Sequence, residues 1–207
     1  MSGGYQWSGF VILPICNHQP FQLYELFNTP DSPNFPFSIS LSYIHIILSI
    51  MKAVIITQPK TESLVTDRPI PKLRDDYLLV KTVSVGLNPT DWKHIAYLAP
   101  PGVLAGCDYS GIVEAVGKDV KKQFNKGDRV CGFAHGSNAV QPEDGTFAEY
   151  IVVKGDVQWK IPESMSFQEA ATLGVGINTV GQGLYQSLKL ALPTEPIKHA
   201  TPVLIYG

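Results

Sequence analysis

Two changes in the spacing of apolar residues divide the chain, one at Met51 and one after Pro162. Between Met51 and Ile161 the apolar residues fall into short runs closed by turn residues: Met51–Ile56, Tyr77–Val85, Gly111–Val116, Asp128–Phe133, Phe147–Val153 and Val157–Ile161. Gly86, Pro89, Gly117, Gly127 and Gly136 separate or follow them. Runs of this length, rich in Val, Ile, Tyr and Phe and bounded by Gly and Pro, predict strands. Many short strands with glycine-rich turns predict a mainly β domain, barrel-like or sandwich-like.

The period changes after Pro162. Ser166-Phe-Gln-Glu169 has the form of a capping box, with Ser at the N-cap and Glu three residues on. Helical spacing continues through Ala170, Ala171 and Leu173, and a second helix is predicted over Asn178–Leu190. Pro193 and Pro196 mark a loop, and Thr201–Gly207 reads as a buried apolar strand running into a glycine. Helices followed by a strand–glycine junction are how an α/β nucleotide-binding unit begins.

Residues 1–50 follow neither pattern. They hold no Lys or Arg, and Glu25 and Asp31 are their acids. Pro14, Pro20, Pro30, Pro33 and Pro36 interrupt any long helix or central strand. A secretory signal needs a positive start and an amphipathic presequence needs Arg. The most apolar stretch, Phe37–Ile50, is shorter than the roughly 20 residues that span a bilayer. The segment is therefore expected to lie outside the fold and to be disordered, with Met51 as the natural start. The expected organisation is a leader at 1–50, a β domain at 51–165 and the incomplete start of a cofactor-binding domain at 166–207.

Composition adds exclusions. An apolar share of 44% and a charged share of 16% suit a globular protein. A net charge of −2 without a basic stretch argues against nucleic-acid binding. Cys16, Cys107 and Cys131 stand far apart with no CxxC pair, which is neither a disulfide framework nor a zinc knuckle. Free thiols fit a reducing, cytoplasmic setting.

Five segments carry a family resemblance. They are Val83-Ser-Val-Gly-Leu-Asn-Pro-Thr-Asp-Trp-Lys93, Gly106-Cys-Asp-Tyr-Ser-Gly-Ile-Val-Glu-Ala-Val-Gly117, Gly127-Asp-Arg-Val130, Gly145-Thr-Phe-Ala-Glu-Tyr150 and Gly174-Val-Gly-Ile-Asn-Thr-Val-Gly181. Each is a short pattern of low specificity, but their order is not. Together they resemble the medium-chain dehydrogenase/reductase superfamily, in which a GroES-like β-barrel precedes a Rossmann domain and catalysis lies between the two. The resemblance covers nearly all of residues 51–207 and none of the leader. The Asn88-Pro-Thr-Asp-x-Lys93 segment is similar to the zinc-free branch, and above all to the fungal trans-acting enoyl reductases that serve polyketide synthases.

The resemblance implies an activity and a cofactor. The expected reaction is NADPH-dependent reduction of an α,β-unsaturated carbonyl, on a small-molecule or carrier-bound enoyl substrate, with a polyketide synthase as partner and no membrane association. A quinone reductase of the same superfamily and a non-catalytic GroES-like module are the competing readings. Zinc-dependent relatives place a Cys where this chain has Asn88, a His-Glu pair at Cys107-Asp108 and a later Cys at Val175. A catalytic zinc needs about three protein ligands, so no metal is expected.

Without a metal, the charge that develops on the substrate's carbonyl oxygen needs donors or a cation. By resemblance, Lys93 and Thr179 are the catalytic candidates, and Asn88, Thr179 and Gly207 the cofactor-binding ones. Asp91 reads as a cap of a short helix, Asp108 as a hydrogen-bonded structural carboxylate, and the tryptophans, Trp92 and Trp159 among them, as packing groups. His94 and His135 are given no role. The Rossmann fingerprint needs a glycine-rich turn after its first strand. The chain reaches Gly207 where that turn would begin, so it is expected to be inactive or very weak alone.

Overall fold

The computed structural model describes residues 50–205, except Pro196, Lys198 and Ala200, together with the backbone pairing of Leu13–Pro14. Leu13–Pro14 runs antiparallel to Ser84–Val85. Gly207 lies outside the described residues, and so, apart from that pairing and Ile50, does the leader expected to be disordered.

Among the described residues from Ile50 onward, seven strands build the β domain. A hairpin comes first, β1 (Ile50–Gln58) with β2 (Thr61–Pro69). β3 (Tyr77–Gly86) is the central strand of the larger sheet. It pairs antiparallel with β4 (Asp108–Val116) on one side and β6 (Tyr150–Lys154) on the other. β5 (Arg129–Phe133) continues from β4, and β7 (Gln158–Lys160) closes that edge. Single bridges from Ala53 to Ala148 and from Ile55 to Leu104 tie the hairpin to the rest of the β domain.

Alternation explains how the layers close. Along β3, Leu78, Val80, Thr82 and Ser84 are buried on one face, the period of two that a strand imposes. Leu78 and Val80 join Met51 and Ala53 of β1, Val113 of β4, Val130 of β5 and Ile151 of β6 in one apolar cluster. Residues from hairpin and sheet thus share a core, as the mainly β, barrel-like expectation requires.

The pattern of hydrophobicity found six of these seven strands. It missed β2, Thr-Glu-Ser-Leu-Val-Thr-Asp-Arg-Pro, because that strand has no buried residue and so no apolar alternation. Its turn is equally silent: Lys60 takes the positive φ of 68° where Gly or Asn is the usual signal.

The helical part follows. α1 (Pro89–Lys93) sits after β3, with a π-helical turn at His94–Leu98. α2 (Phe167–Ala171) starts at the expected capping box: Ser166 Oγ accepts the Glu169 N–H at 3.2 Å, and Glu169 Oε2 accepts the Ser166 N–H at 2.9 Å. α2 docks through Ala170 onto Cys131 and Ile161. α3 (Gly174–Gly181) begins four residues earlier than the sequence spacing indicates and passes into a π-helical turn at Gln182–Ser187. The buried strand expected at Thr201–Gly207 does not form over its described residues. Thr201–Ile205 carries no strand pairing, and Leu204 and Ile205 are 91% and 90% exposed. A parallel strand exists through hydrogen bonds to its neighbours, and the described residues offer none there.

Candidate functional site

The site grows from the corner where β3 ends, α1 begins and α3 meets β4. Asn88 is the N-cap residue of α1 and Pro89 its first helical residue, a position that needs no N–H. Asp91 turns back over this start, its Oδ2 accepting the Asn88 N–H at 2.7 Å. This is the helix-capping role expected of Asp91.

Asp108, the first residue of β4, is 1% exposed. Its Oδ2 accepts a hydrogen bond from Asn88 Nδ2 at 2.9 Å, and its Oδ1 accepts one from the Val175 N–H at 2.7 Å. The structural, hydrogen-bonded carboxylate expected at this position is therefore present, and it joins three elements: α1 through Asn88, β4 through its own backbone and α3 through Val175. It also explains the early start of α3, since a carboxylate from a distant strand satisfies a first-turn N–H that a local cap otherwise serves. No local spacing reveals such a partner 67 residues away.

Burial sets the electrostatics of this corner. It pushes the Asp108 carboxyl up to about 6, against the opposing pull of the Asn88 and Val175 hydrogen bonds; the nearby Asp91 adds to the rise. Burial raises Asp91 as well. Cys107 is pushed up to about 12 by burial and by Asp91, and Cys131 to about 12 by burial and by Asp108. Both thiols stay protonated near neutral pH, so neither is a reactive thiolate.

The candidates lie around this corner in different settings. Asn88 is half-buried, while Lys93 and Thr179 are exposed. Lys93 ends α1, its Nζ 5.7 Å from the centre of the Trp92 ring. Thr179 stands four residues after Val175 on α3, one turn along the same helix. Asn88 and α3 are thus held together through Asp108, whereas Lys93 and Thr179 share no hydrogen bond. His94 Nδ1 stays within its own turn, 2.8 Å from the Thr90 carbonyl oxygen.

Trp92 departs from the expected packing role. It is 51% exposed and meets Tyr97 edge-on with ring centres 6.3 Å apart. In a helix as short as α1 the side chain turned inward is Asp91, and its neighbour Trp92 consequently faces out. Trp159, in contrast, packs against the Cys131–Ile161–Ala170 cluster. Next to α1 lies a cavity of about 610 Å³, lined by Asn88 and Asp91 and by the apolar Leu64, Leu87, Trp92 and Phe147. No local pattern points to it, because its walls come from four separate segments.

Comparison with known proteins gives this geometry a family. Residues 74–163 match the alcohol dehydrogenase GroES-like domain. The chain is 71% identical over 160 residues to the trans-enoyl reductase TOXD of Cochliobolus carbonum, a match that covers 77% of this chain and 54% of that protein. It is 58% identical over 168 residues to the trans-enoyl reductase resD of Aspergillus sclerotiorum, covering 76% and 47%. Among solved structures, the quinone oxidoreductase of Coxiella burnetii is similar with a TM-score of 0.57 and 31% identity, over 67% of this chain and 45% of that one. The chain spans about half the length of the curated relatives it matches. With a GroES-like β domain, helices docked on its edge and this degree of identity, the chain belongs to the medium-chain dehydrogenase/reductase superfamily, alongside the fungal trans-enoyl reductases.

Proposed function

We propose that the chain forms the substrate-side part of a zinc-independent, NADPH-dependent enoyl reductase, acting in the cytoplasm on an α,β-unsaturated thioester held by a polyketide synthase. The observation that carries this reading is the 71% identity to a trans-enoyl reductase. No helix among the described residues is long and apolar enough to cross a membrane.

Zinc independence rests on the donor set. Both Asp108 oxygens already accept N–H groups, and Asn88 offers a neutral amide in place of a thiolate. Among the described residues no three His, Cys, Asp or Glu side chains cluster at ligand spacing.

A bound nicotinamide dinucleotide supplies the hydride. Lys93, exposed at the end of α1, offers a cation to the charge that develops on the thioester oxygen. Thr179 offers a hydroxyl and Asn88 an amide, both suited to the ribose or carboxamide of the cofactor. The phosphates are a different matter. The Val175 N–H at the start of α3 is already directed at Asp108, an anion of the protein itself, which opposes a phosphate there. The Val175 N–H is therefore not available to the cofactor's phosphates, and NADPH binding to this chain alone is expected to be weak. Tight binding in a titration of NADPH into the 207-residue protein would contradict that part of the reading.

The activity is tested by a chimera in which residues 51–190 replace the matching segment of the Cochliobolus carbonum enzyme. NADPH oxidation dependent on an enoyl thioester supports the reading. Oxidation with a quinone but not with the thioester favours the second reading, a quinone reductase, which the likeness to the Coxiella burnetii protein supports. Oxidation with neither overturns both.

A further inference from the structure

The hydrogen bond between Asn88 and Asp108 fixes more than a distance. A carboxylate carries no proton and can only accept, so the amide atom facing Asp108 Oδ2 must be the donor, Nδ2. The Val175 N–H occupies Oδ1 and is equally unable to accept. With one N–H of Nδ2 committed inward, the amide atom turned away from Asp108 is the carbonyl oxygen of Asn88, on the side of the first turn of α1.

Protonating Asp108 reverses this. One carboxyl oxygen becomes an O–H donor and needs an acceptor. Oδ1 faces a backbone N–H, so the proton is accommodated on Oδ2, opposite Asn88. With that O–H directed at Asn88, two donors oppose one another, and the conflict is relieved when the Asn88 amide turns over. Its carbonyl oxygen accepts from Asp108 and its NH₂ group turns toward the ligand side. A buried donor left without an acceptor is costly enough to select one amide orientation over the other.

We infer that Asp108 is a positioning residue that sets the polarity of the Asn88 amide, presenting an acceptor to the ligand side while its carboxyl is ionised and a donor once it is protonated. The titratable groups around it are Asp91 from α1, Cys107 just before β4 and Cys131 from β5, with His94 acting on Asp91. The two thiols do not titrate in the neutral range. With the Asp108 carboxyl raised to about 6 by burial, the change falls just below neutral pH. At neutral pH Asn88 accordingly acts as an acceptor, suited to a hydroxyl or carboxamide N–H. That consequence rests on the proposed cofactor contact of Asn88. The amide switch itself does not, and it can be tested without catalysis.

The test is a ¹H–¹⁵N titration of the 207-residue protein from about pH 4.5 to about pH 8, a range that brackets the raised carboxyl. The expected result is that the Asn88 side-chain amide and the Val175 backbone amide shift with one common midpoint. A scalar coupling across the hydrogen bond, from Asn88 Nδ2 to Asp108 Cγ, is expected at the high end and lost at the low end. In Asp108→Asn, whose new amide must donate to Asn88 while its oxygen serves Val175, both signals are expected to stay flat and Asn88 to remain turned over. Movement of Val175 with a still Asn88 amide would reduce Asp108 to a helix cap and overturn the inference. So would an Asn88 titration that persists in Asp108→Asn. Should that variant not fold, the wild-type titration and coupling decide alone. Failure of the enoyl reductase reading leaves these signals unchanged, so the two outcomes are distinguishable.

Discussion

The Val175 N–H meets Asp108 Oδ1 across 2.7 Å, and the residue before Val175 leaves no space for a side chain. A Cβ on Gly174 would stand 2.4 Å from that same oxygen and 2.5 Å from the carbonyl oxygen of Gly132. The first turn of α3 is therefore pressed onto the ends of β4 and β5, and the closeness that permits the hydrogen bond is what requires the glycine.

Gly174→Ala is expected to destabilise the fold by about 1–3 kcal/mol, the usual cost of overpacking a well-filled contact. The Gly132 oxygen is backbone and cannot swing aside as a flexible side chain does. Urea unfolding followed by circular dichroism should show a lower midpoint at an unchanged slope. Hydrogen exchange should quicken first at Val175. An unshifted midpoint would mean that α3 is not held in this place.

The contribution of Asp108 to stability is expected to fall as pH rises from about 4 to about 6. The Asp108 carboxyl is raised from 3.8 to about 6 in the folded protein. In that window the folded state binds the proton more firmly than the unfolded one, so each step up in pH favours unfolding. A rise of about two pH units corresponds to about 3 kcal/mol, fully present below the unfolded value and lost as pH passes the folded one. Asp91, also raised, acts with the same sign. Comparing Asp108→Asn with the wild type isolates the larger part: equal near pH 4, with the variant gaining relative stability by pH 7. Parallel pH profiles for the two proteins would rule this account out.

The core of the site illustrates what a sequence can and cannot disclose. The capping box at Ser166 was legible because its two partners lie three residues apart. The strands with one buried face were legible for the same local reason, and so was the cap role of Asp91. The joining of Asn88 to Val175 was not. It passes through Asp108, 20 residues from one and 67 from the other, and rests on how β4 lies between them. The exposure of Trp92 was hidden as well, because composition places tryptophan inside and only the geometry of a short helix turns it out.

Tyr109→Phe is expected to cost about 1–3 kcal/mol, although it removes a single oxygen. The Tyr109 hydroxyl donates to Gln158 Oε1 at 2.9 Å, and both side chains are fully buried. Gln158 is fixed by its own Nε2, which donates to the Phe133 and Lys154 carbonyl oxygens at 3.0 Å each. It cannot turn Oε1 elsewhere without giving up those bonds, so the variant leaves a buried acceptor unmet. Thermal unfolding provides the measurement, and a melting temperature equal to wild type would show that water reaches Gln158.

Lys93→Ala, made in the Cochliobolus chimera, is expected to lower kcat for an enoyl thioester by about 10²–10³-fold if its ammonium meets the developing negative charge, the range seen when one such donor is removed. Folding offers no competing explanation. Lys93 is exposed, and its nearest marked contact is the half-exposed Trp92 at 5.7 Å. Trp92→Ala reports on that contact and on the cavity wall to which Trp92 belongs, and a loss of kcat equal to that of Lys93→Ala would assign the effect to packing rather than to charge. A Lys93→Arg variant keeps the charge on a wider, planar group, and partial recovery of kcat with a changed KM would separate charge from fit. Should Lys93→Ala stay within a factor of about three of the parent in kcat, the lysine is a solvated surface charge, and the stabilising donor has to be sought at Thr179 or in the part of the relatives' length that this chain does not span.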